Sequence, residues 1–140
     1  YIKENKMNTN FDLVRAVNDV VPSRYLNKTL SRIFQAFRIK INNELEKIFT
    51  SIINSMEILN SKARLAVITF HSIEDRLVKN IFKSYSTGNP NYLKNIGYEI
   101  IKPCEKLVKI ITKKPISPKY EEIKANKRCR SAKLRIVERI

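Results

Sequence analysis

The single histidine of this 140-residue chain stands in a cluster of polar residues that directly follows an apolar run. The cluster consists of His71, Ser72, Glu74, Asp75 and Arg76. Histidine, serine and glutamate can position a substrate or move its protons. A serine hydrolase is not indicated, because the glycines of a nucleophile elbow are absent and neighbours on one turn do not form a triad.

The same cluster also has a structural interpretation. Ser72 can cap a helix, and Asp75, three residues later, nearly completes a capping box. Glu74 or Asp75 can pair with Lys79 on the helix surface. For Asp75 we favour the structural interpretation, whereas His71 and Ser72 together are interpreted as neighbours of an active site.

A second polar set interrupts an apolar helical face. Gln35, Arg38 and Asn42 fall in the arc that Phe49 and Ile53 occupy further along, and this arc is predicted to be buried. Buried polar side chains need hydrogen-bond partners. The trio therefore predicts either a structural network with a neighbouring element or the wall of a substrate cleft.

A third set is basic and lies near the C-terminus. Arg128 and Arg130 precede a predicted strand, where they can reach phosphate groups. Within the strand, alternation places Lys133 and Arg135 on one face. The alternative is a solvated edge strand whose charges resist aggregation.

The net charge of +15 predicts a polyanionic partner such as RNA. The segment from Lys102 to Ile140 holds 13 Lys and Arg against four Asp and Glu, a net +9. AT-rich codon usage is the alternative source of the lysines, which outnumber arginines 18 to 10. It explains the arginines less well.

Helices and strands that position these residues follow from periodicity and breakers. A six-residue run that is apolar at five positions, without alternation, predicts a strand buried on both faces, as in a parallel sheet covered by helices. Helix, buried strand and helix in succession indicate an α/β fold. The predicted elements are a helix Phe11–Val20 capped by Asn10, a linker to Lys28, one long helix or two in line over Lys28–Ser61, the buried strand Leu65–Phe70, a helix from Ser72, a loop Thr87–Asn95, strands Leu107–Thr112 and Ala132–Val137, and between them a helix Ser117–Ile123 with Pro118 at its first position.

Composition limits the function classes. No apolar run is long enough to span a membrane, and no signal peptide opens the chain. Cys104 and Cys129 lack metal-like spacing, so we expect a cytoplasmic protein without a metal. Only two glycines are present, so no glycine-rich cofactor loop is expected within these residues. The start at Tyr1, in what reads like the tail of a helix, predicts a truncated chain.

Three motifs resemble those of the bacterial 16S ribosomal RNA (cytosine-N4)-methyltransferases. The family's helix motif, Arg-x-Phe-Gln-Ala-Leu-Arg-Ile-x-Val-Asn, corresponds to Arg32–Asn42, with Phe37 in place of Leu and Ile41 in place of Val. Its strand-turn motif, Phe-His-Ser-Leu-Glu-Asp-Arg, matches Phe70–Arg76. Its C-terminal signature matches Lys114–Pro118, Glu121–Ile123 and Asn126–Arg135. The family's Pro-Gly-Gly turn is absent, and its Asn-Pro is Asn126-Lys127.

The resemblance implies the C-terminal half of a class I S-adenosylmethionine-dependent methyltransferase, a Rossmann-like α/β fold, with residues 1–27 ending a helical insert and residues 28–140 continuing the methyltransferase domain. Its last two strands would form an antiparallel pair. The implied substrate is a cytosine in the decoding region of 16S ribosomal RNA on the small ribosomal subunit, and the cofactor site would lie outside this chain. The implied cleft residues are His71, Ser72 and Glu74, and the implied RNA-binding residues are Arg32, Gln35, Arg38, Asn42, Lys114, Arg128, Arg130, Ser131 and Lys133. A small basic RNA-binding or ribosome-binding protein without catalysis is the alternative that composition alone permits.

Overall fold

The computed structural model describes residues 7–96 and 105–140, so the predicted helix tail at the N-terminus and Cys104 lie outside the described residues. The chain divides into two compact units, Tyr1–Glu44 and Leu45–Ile140. The described helices and strands are α1 (Asn10–Asn18), α2 (Ser23–Ile41), α3 (Glu44–Ile58), β1 (Arg64–Thr69), α4 (Ser72–Thr87), α5 (Asn91–Lys94), β2 (Val108–Ile110), α6 (Tyr120–Ala125), a 3-10 helix (Lys127–Ser131) and β3 (Lys133–Arg139).

The first unit contains α1 and α2. Thr9, not Asn10 as predicted, caps α1: its hydroxyl accepts from the Asp12 N–H at 3.3 Å, and the Asp12 carboxylate accepts from the Thr9 N–H at 2.9 Å. The predicted linker up to Lys28 is wrong, because α2 begins at Ser23, directly after Pro22. Proline has a fixed φ and no N–H, so it starts a helix without losing a hydrogen bond.

The apolar periodicity from Lys28 to Ser61 belongs to two helices, the second of the two predicted alternatives. The break lies at Asn42 and Asn43, and Asn43 adopts a left-handed φ of 51°. Periodicity alone cannot reveal this break, because the apolar spacing continues through it.

The sheet of the second unit has the order β1-β3-β2, and β3 is antiparallel to both neighbours. The predicted antiparallel pairing of the last two strands is therefore confirmed. The alternative interpretation of the last strand, a solvated edge strand, is wrong, because β3 lies between the other two. Val137 pairs with Leu65 on one side and with Ile110 on the other.

The prediction that the first strand is buried on both faces is wrong. Leu65, Val67 and Thr69 lie on the inner face of β1, and Thr69 is buried. Ala66 and Ile68 are exposed on the outer face, and Ile68 retains 59% of its accessible surface. The long helices α3 and α4 pack against the inner face, and Ile68 on the other face remains largely accessible to solvent.

The core of the second unit lies between that inner face and the helices. Met56 of α3, Val78 and Ile81 of α4, Val108 of β2 and Val137 of β3 are all fully buried. The helix predicted after a Ser72 cap is present as α4, but it begins at Ser72 itself, one residue earlier than that cap implies. Its C-terminus is closed by Gly88, whose left-handed φ of 73° suits a residue without Cβ.

The C-terminal helix α6 starts later than predicted. Pro118 lies outside it, and the helix begins at Tyr120 after Lys119. The Glu122 carboxylate accepts from the Lys119 N–H at 2.7 Å, which satisfies one of the donors that a helix N-terminus leaves unpaired. Within the described ranges, no helix combines the length and the apolar character needed to cross a membrane.

Candidate functional site

The polar cluster around the histidine forms the turn between β1 and α4. Glu74 folds back on this turn, and its Oε2 accepts from the N–H of Phe70 at 3.0 Å and from the N–H of His71 at 3.2 Å. The residue that precedes the helix is His71, not Ser72 as predicted. Glu74 therefore fixes the backbone that carries His71 and Ser72. Ser72 is exposed and His71 is half-buried.

Asp75 ties this turn to the last strand. Its carboxylate lies 2.7 Å from Nε and 3.1 Å from Nη2 of Arg135, and 3.3 Å from Nζ of Lys133. Both Asp75 and Arg135 are buried. The predicted surface pair of Glu74 or Asp75 with Lys79 is wrong. The charged face of β3 packs inward because α4 supplies a carboxylate for it.

Burial by itself would raise the pKa of the Asp75 carboxyl. The hydrogen bonds and charges of Arg135, and then those of Lys133, outweigh burial and hold that pKa below its usual value. The carboxylate therefore stays ionised at neutral pH. It acts as a structural anion rather than as a proton carrier.

A groove of about 620 Å³ lies on the outer face of the sheet, opposite α4. We call it the apolar groove; its apolar lining is Ile68, Phe70, Ile116, Pro118, Cys129, Ala132 and Leu134, and its polar lining is Ser117, Glu122, Asn126 and Arg128. Ile116 pairs with Leu134 through two hydrogen bonds of 2.9 Å, which fixes this side of the groove to β3. The groove begins at the carboxyl end of β1, directly beside the His71 turn.

The basic 3-10 helix borders the apolar groove. The Asn126 side chain accepts from the Arg128 N–H at 3.1 Å and so caps this helix. Arg128, Arg130 and Ser131 are all exposed, and Arg128 lines the groove. An apolar groove with a guanidinium at its border can hold a base beside a phosphate.

The predicted site residues of the second unit do not all lie together. Arg128 lies in the groove, and His71, Ser72 and Glu74 belong to the turn that adjoins it through Phe70. Lys133 faces the other way, toward Asp75. Lys114 is exposed in the turn between β2 and Ile116.

The four predicted residues of α2 and its end belong to the first unit. Arg32 and Asn42 are exposed and Gln35 is half-buried. Arg38 pairs with Glu44 at 2.9 Å, and the Asn42 amide donates to the same carboxylate at 3.2 Å. The predicted burial of Arg38 and Asn42 is therefore wrong. Their common partner lies at the break between α2 and α3.

Several groove residues were missed by sequence reasoning. Ile68 was interpreted as a residue of a buried strand, Leu134 as part of the uncharged face of the last strand, and Ile116 as part of a basic turn. Glu122 read as part of a surface helix. The one available signal was the alternation of side chains along the last strand. Because Arg135 faces a helix, Leu134 must face away from that helix.

The described residues do not form a cofactor pocket of the glycine-loop type. Gly88 ends α4, and Gly97, the other glycine, lies outside the described residues. No strand-to-helix turn of the described part therefore offers glycine backbone to a ribose or a sulfonium group. Among residues 7–96 and 105–140, no three His, Cys, Asp or Glu side chains are grouped to hold a metal ion.

Comparison with known proteins gives one family. The model of the MraW methylase family matches residues 1–140. A protein of Mesoplasma florum named ribosomal RNA small subunit methyltransferase H is 40% identical over 95% of this chain and 44% of its own length. Proteins of the same name from Brevibacillus brevis and Caldicellulosiruptor saccharolyticus are 38% and 41% identical, each over 99% of this chain. The chain spans less than half the length of these relatives, between 44% and 45%.

Proposed function

The chain belongs to the MraW methylase family, and on that premise we propose that it supplies the RNA-facing part of an S-adenosylmethionine-dependent methyltransferase. The proposed substrate is the N4 amine of a cytosine in the decoding region of 16S ribosomal RNA, on the small ribosomal subunit. The names of the relatives support a ribosomal RNA substrate. The resemblance of the three motifs supports the cytosine amine.

The single observation that carries the proposal is the apolar groove. It opens where β1 ends, between the His71 turn and the 3-10 helix that carries Arg128. In open α/β sheets, ligands bind beyond the carboxyl ends of the strands. The face of a base can pack against an apolar floor, and a guanidinium at the border can donate hydrogen bonds to its phosphate.

The strand directions support a Rossmann-like fold for the whole protein. β1 and β2 both run antiparallel to β3, so they run parallel to each other. Among the described strands, β1 pairs on one side only, and its outer face is exposed. The proposed fold adds strands and helices of the remaining protein at this edge and on part of this face.

The proposed roles follow from position. His71 and Ser72 face the bound nucleotide, and Glu74 holds their turn in shape through its two backbone hydrogen bonds. Arg128 and Arg130 bind phosphates. Methyl transfer needs the amine held in line with the methyl donor, so the contribution of these residues is orientation.

The methyl donor's site lies, in this proposal, in the part of the relatives' length that the chain does not cover. The family name implies a methyl donor, but the described residues offer it no glycine loop. Gln35 and Arg38 remain proposed cleft residues of the first unit. Asn42, which shares Glu44 with Arg38, is proposed to brace them.

A chimera tests the proposal. This chain replaces the matching C-terminal portion of the Mesoplasma florum relative, and methyl transfer to small-subunit RNA is measured. We expect an active chimera. We also expect His71→Ala to lower kcat by about 100-fold through loss of orientation, with an unchanged unfolding curve.

The RNA contacts are tested by the double variant Arg128→Ala/Arg130→Ala of the 140-residue chain. The salt dependence of binding to a decoding-region RNA should become shallower by about 1.5, because each lost phosphate contact removes about 0.7 to 0.9 from the slope. Arg15→Ala/Arg24→Ala, two exposed arginines outside the apolar groove, is the matched control. RNA binding by an inactive chimera would instead support the non-catalytic alternative.

A further inference from the structure

A second groove lies on the inner side of the sheet, between α4 and the end of β2. Lys79, Phe82 and Lys83 lie three and four residues apart on α4 and therefore share one helix face. Two lysines at this spacing repel each other and destabilise the helix. An anion held between them would remove that repulsion.

The groove brings a third lysine to the same place. Lys113 follows β2 and lines a cavity of about 130 Å³ together with Lys79 and Lys83. This volume is about four times the share of one water molecule in the liquid. Thr112 fixes the position of Lys113, because its hydroxyl accepts from the Ile136 N–H at 2.8 Å and its N–H donates to the Ile136 carbonyl at 3.3 Å.

The charge of this groove is not compensated within the described part of the chain. None of its three lysines forms a described salt bridge, although Lys83 lies 5.4 Å from the centre of the Tyr92 ring. Asp75 is one turn before Lys79, but its carboxylate is held by Arg135 and Lys133. Those three charges sum to +1, so the floor of the groove adds positive potential.

The two grooves lie on opposite faces of the sheet and are joined by one turn. Arg135 lines the second groove, which we call the lysine groove after Lys79, Lys83 and Lys113, and its neighbour Leu134 lines the apolar groove. Successive side chains of a strand point to opposite faces. The chain between them runs from Lys113 through Lys114 and Pro115 to Ile116. Lys113 and Lys114 are both exposed on this turn.

We propose that the groove formed by Lys79, Lys83 and Lys113 is a second binding site for RNA phosphate, separate from the apolar groove. The RNA strand that enters the apolar groove passes over the Lys113–Lys114 turn and places a phosphate between α4 and β2. This inference rests on the proposed function, because it assumes that RNA occupies the apolar groove. It gives the lysines a positioning role: they bind RNA away from the reacting base.

Substitution of the three lysines tests the site. We compare the full chain with Lys79→Gln/Lys83→Gln/Lys113→Gln and with the control Lys40→Gln/Lys47→Gln/Lys62→Gln, which removes the same charge from exposed positions outside both grooves. The plot of log binding constant against log salt for the decoding-region RNA should become shallower by about 2 in the test variant. It should change by less than about 0.7 in the control. Equal slopes for the two variants would overturn the proposal.

Protection from acetylation gives a second readout that does not depend on a variant's folding. Lys79, Lys83 and Lys113 should react several-fold more slowly in the RNA complex, while Lys40, Lys47 and Lys62 keep their rates. Polyglutamic acid, a polyanion without phosphate, is the control ligand. If it protects the three lysines as well as RNA does, the effect is generally electrostatic and the phosphate site is overturned. The site is also overturned if RNA gives no protection.

Failure of this inference is distinguishable from failure of the proposed function. If the arginine double variant loses phosphate contacts and the lysine triple variant behaves like its control, the second site alone is wrong. If the wild-type chain does not bind the RNA even at low salt, the proposed RNA-facing role is wrong and this inference falls with it.

Discussion

Asp75 joins two segments that are 60 residues apart in the sequence. Its carboxylate accepts two hydrogen bonds from the Arg135 guanidinium and one from Lys133, and the Asp75 and Arg135 side chains retain only 11% and 9% of their exposure. Because Asp75 follows the His71 turn and Arg135 follows the basic 3-10 helix, the pair keeps both borders of the apolar groove in register. A buried charge that loses its partner is far more costly than an exposed one.

Replacing Asp75 by asparagine should lower the free energy of unfolding by about 3 kcal/mol, because Arg135 is left buried beside a neutral amide. Urea unfolding followed by circular dichroism measures this. The control is Glu138→Gln, which breaks the more exposed pair with Arg64 at 2.9 Å and should cost no more than about 1 kcal/mol. If both variants lowered the free energy of unfolding equally, the Asp75–Arg135 pair would not stabilise the fold more than an exposed pair does.

The same comparison should depend on pH. The pKa of Asp75 is lowered in the folded state, so its stabilising contribution is complete above the ordinary value of 3.8 and is lost as the pH falls through the lower folded-state value. The stability gap between wild type and Asp75→Asn should therefore be constant from neutral pH down to about 5 and narrow at lower pH. A gap that widens on acidification would show that the carboxylate is not stabilised by its partners.

The ion pair between Asp75 and Arg135 is difficult to predict from the sequence. Asp75 sits in the first turn of a helix, where an exposed acid is common because it favours the helix dipole. Arg135 alternates with apolar residues, as it would in an edge strand. Both interpretations, an exposed helix acid for Asp75 and an edge-strand charge for Arg135, agree with the local sequence. They are excluded only by the strand register, which places Arg135 of β3 next to Asp75 of α4.

At the level of elements, the break between α2 and α3 depends on one backbone conformation. Asn43 has a left-handed φ of 51°, and the Asn42 side chain and Arg38 both bind Glu44 at the start of α3. Asparagine tolerates this region, whereas a β-branched residue does not. Asn43 therefore allows α2 to end. The apolar periodicity does not reveal this, because Asn43 is not one of the apolar positions.

Replacing Asn43 by valine should lower the free energy of unfolding by about 1 to 2 kcal/mol, because a β-branched residue does not tolerate the left-handed conformation that asparagine adopts. Asn43→Gly should be close to neutral. Asn54→Val within α3 is the control: Asn54 is exposed, and the two residues have similar helix propensities, so the change should be within a few tenths of a kcal/mol. Urea unfolding measures all three. A cost for Asn43→Val no larger than for Asn54→Val would mean that the break does not depend on Asn43.

Elements were predicted best where local chemistry decides them. The helix that follows β1 and its end near Gly88 were predicted from a cap and a glycine, and the structure has that helix and that glycine, with His71 instead of Ser72 as the cap. Which side of a strand meets solvent is decided elsewhere in the fold. The run Leu65–Phe70 is apolar except for Thr69, so nothing local distinguishes exposed Ile68 from half-buried Val67.

For the whole molecule, the sheet separates two surfaces of different character. The outer face carries the apolar groove, with Ile68 and Ile116 more than half exposed. The inner edge carries the lysine groove. A protein that binds a particular RNA segment uses a basic surface and a surface for bases. Phosphate contacts supply most of the affinity, and base contacts select the position along the RNA strand. The sequence predicted the positive charge but not its division between two faces.

The outer face also makes a prediction about the isolated chain. Contiguous exposed apolar surface promotes association, so the 140-residue chain should bind the dye ANS and self-associate at high concentration. Ile68→Lys should reduce both, and it should change the free energy of unfolding by no more than about 0.5 kcal/mol, because Ile68 is 59% exposed. Sedimentation velocity and dye fluorescence measure the association.

Val67 is the matched control for Ile68, because it lies next to Ile68 on β1 and points to the opposite face of the sheet. Val67 packs against the core beneath β1, so Val67→Lys should place a charge among apolar side chains and cost more than about 2 kcal/mol. The contrast between neighbours tests the one-sided burial of β1 directly. If Ile68→Lys destabilises the chain as much as Val67→Lys, then β1 is buried on both faces, and the apolar groove is closed to an RNA base.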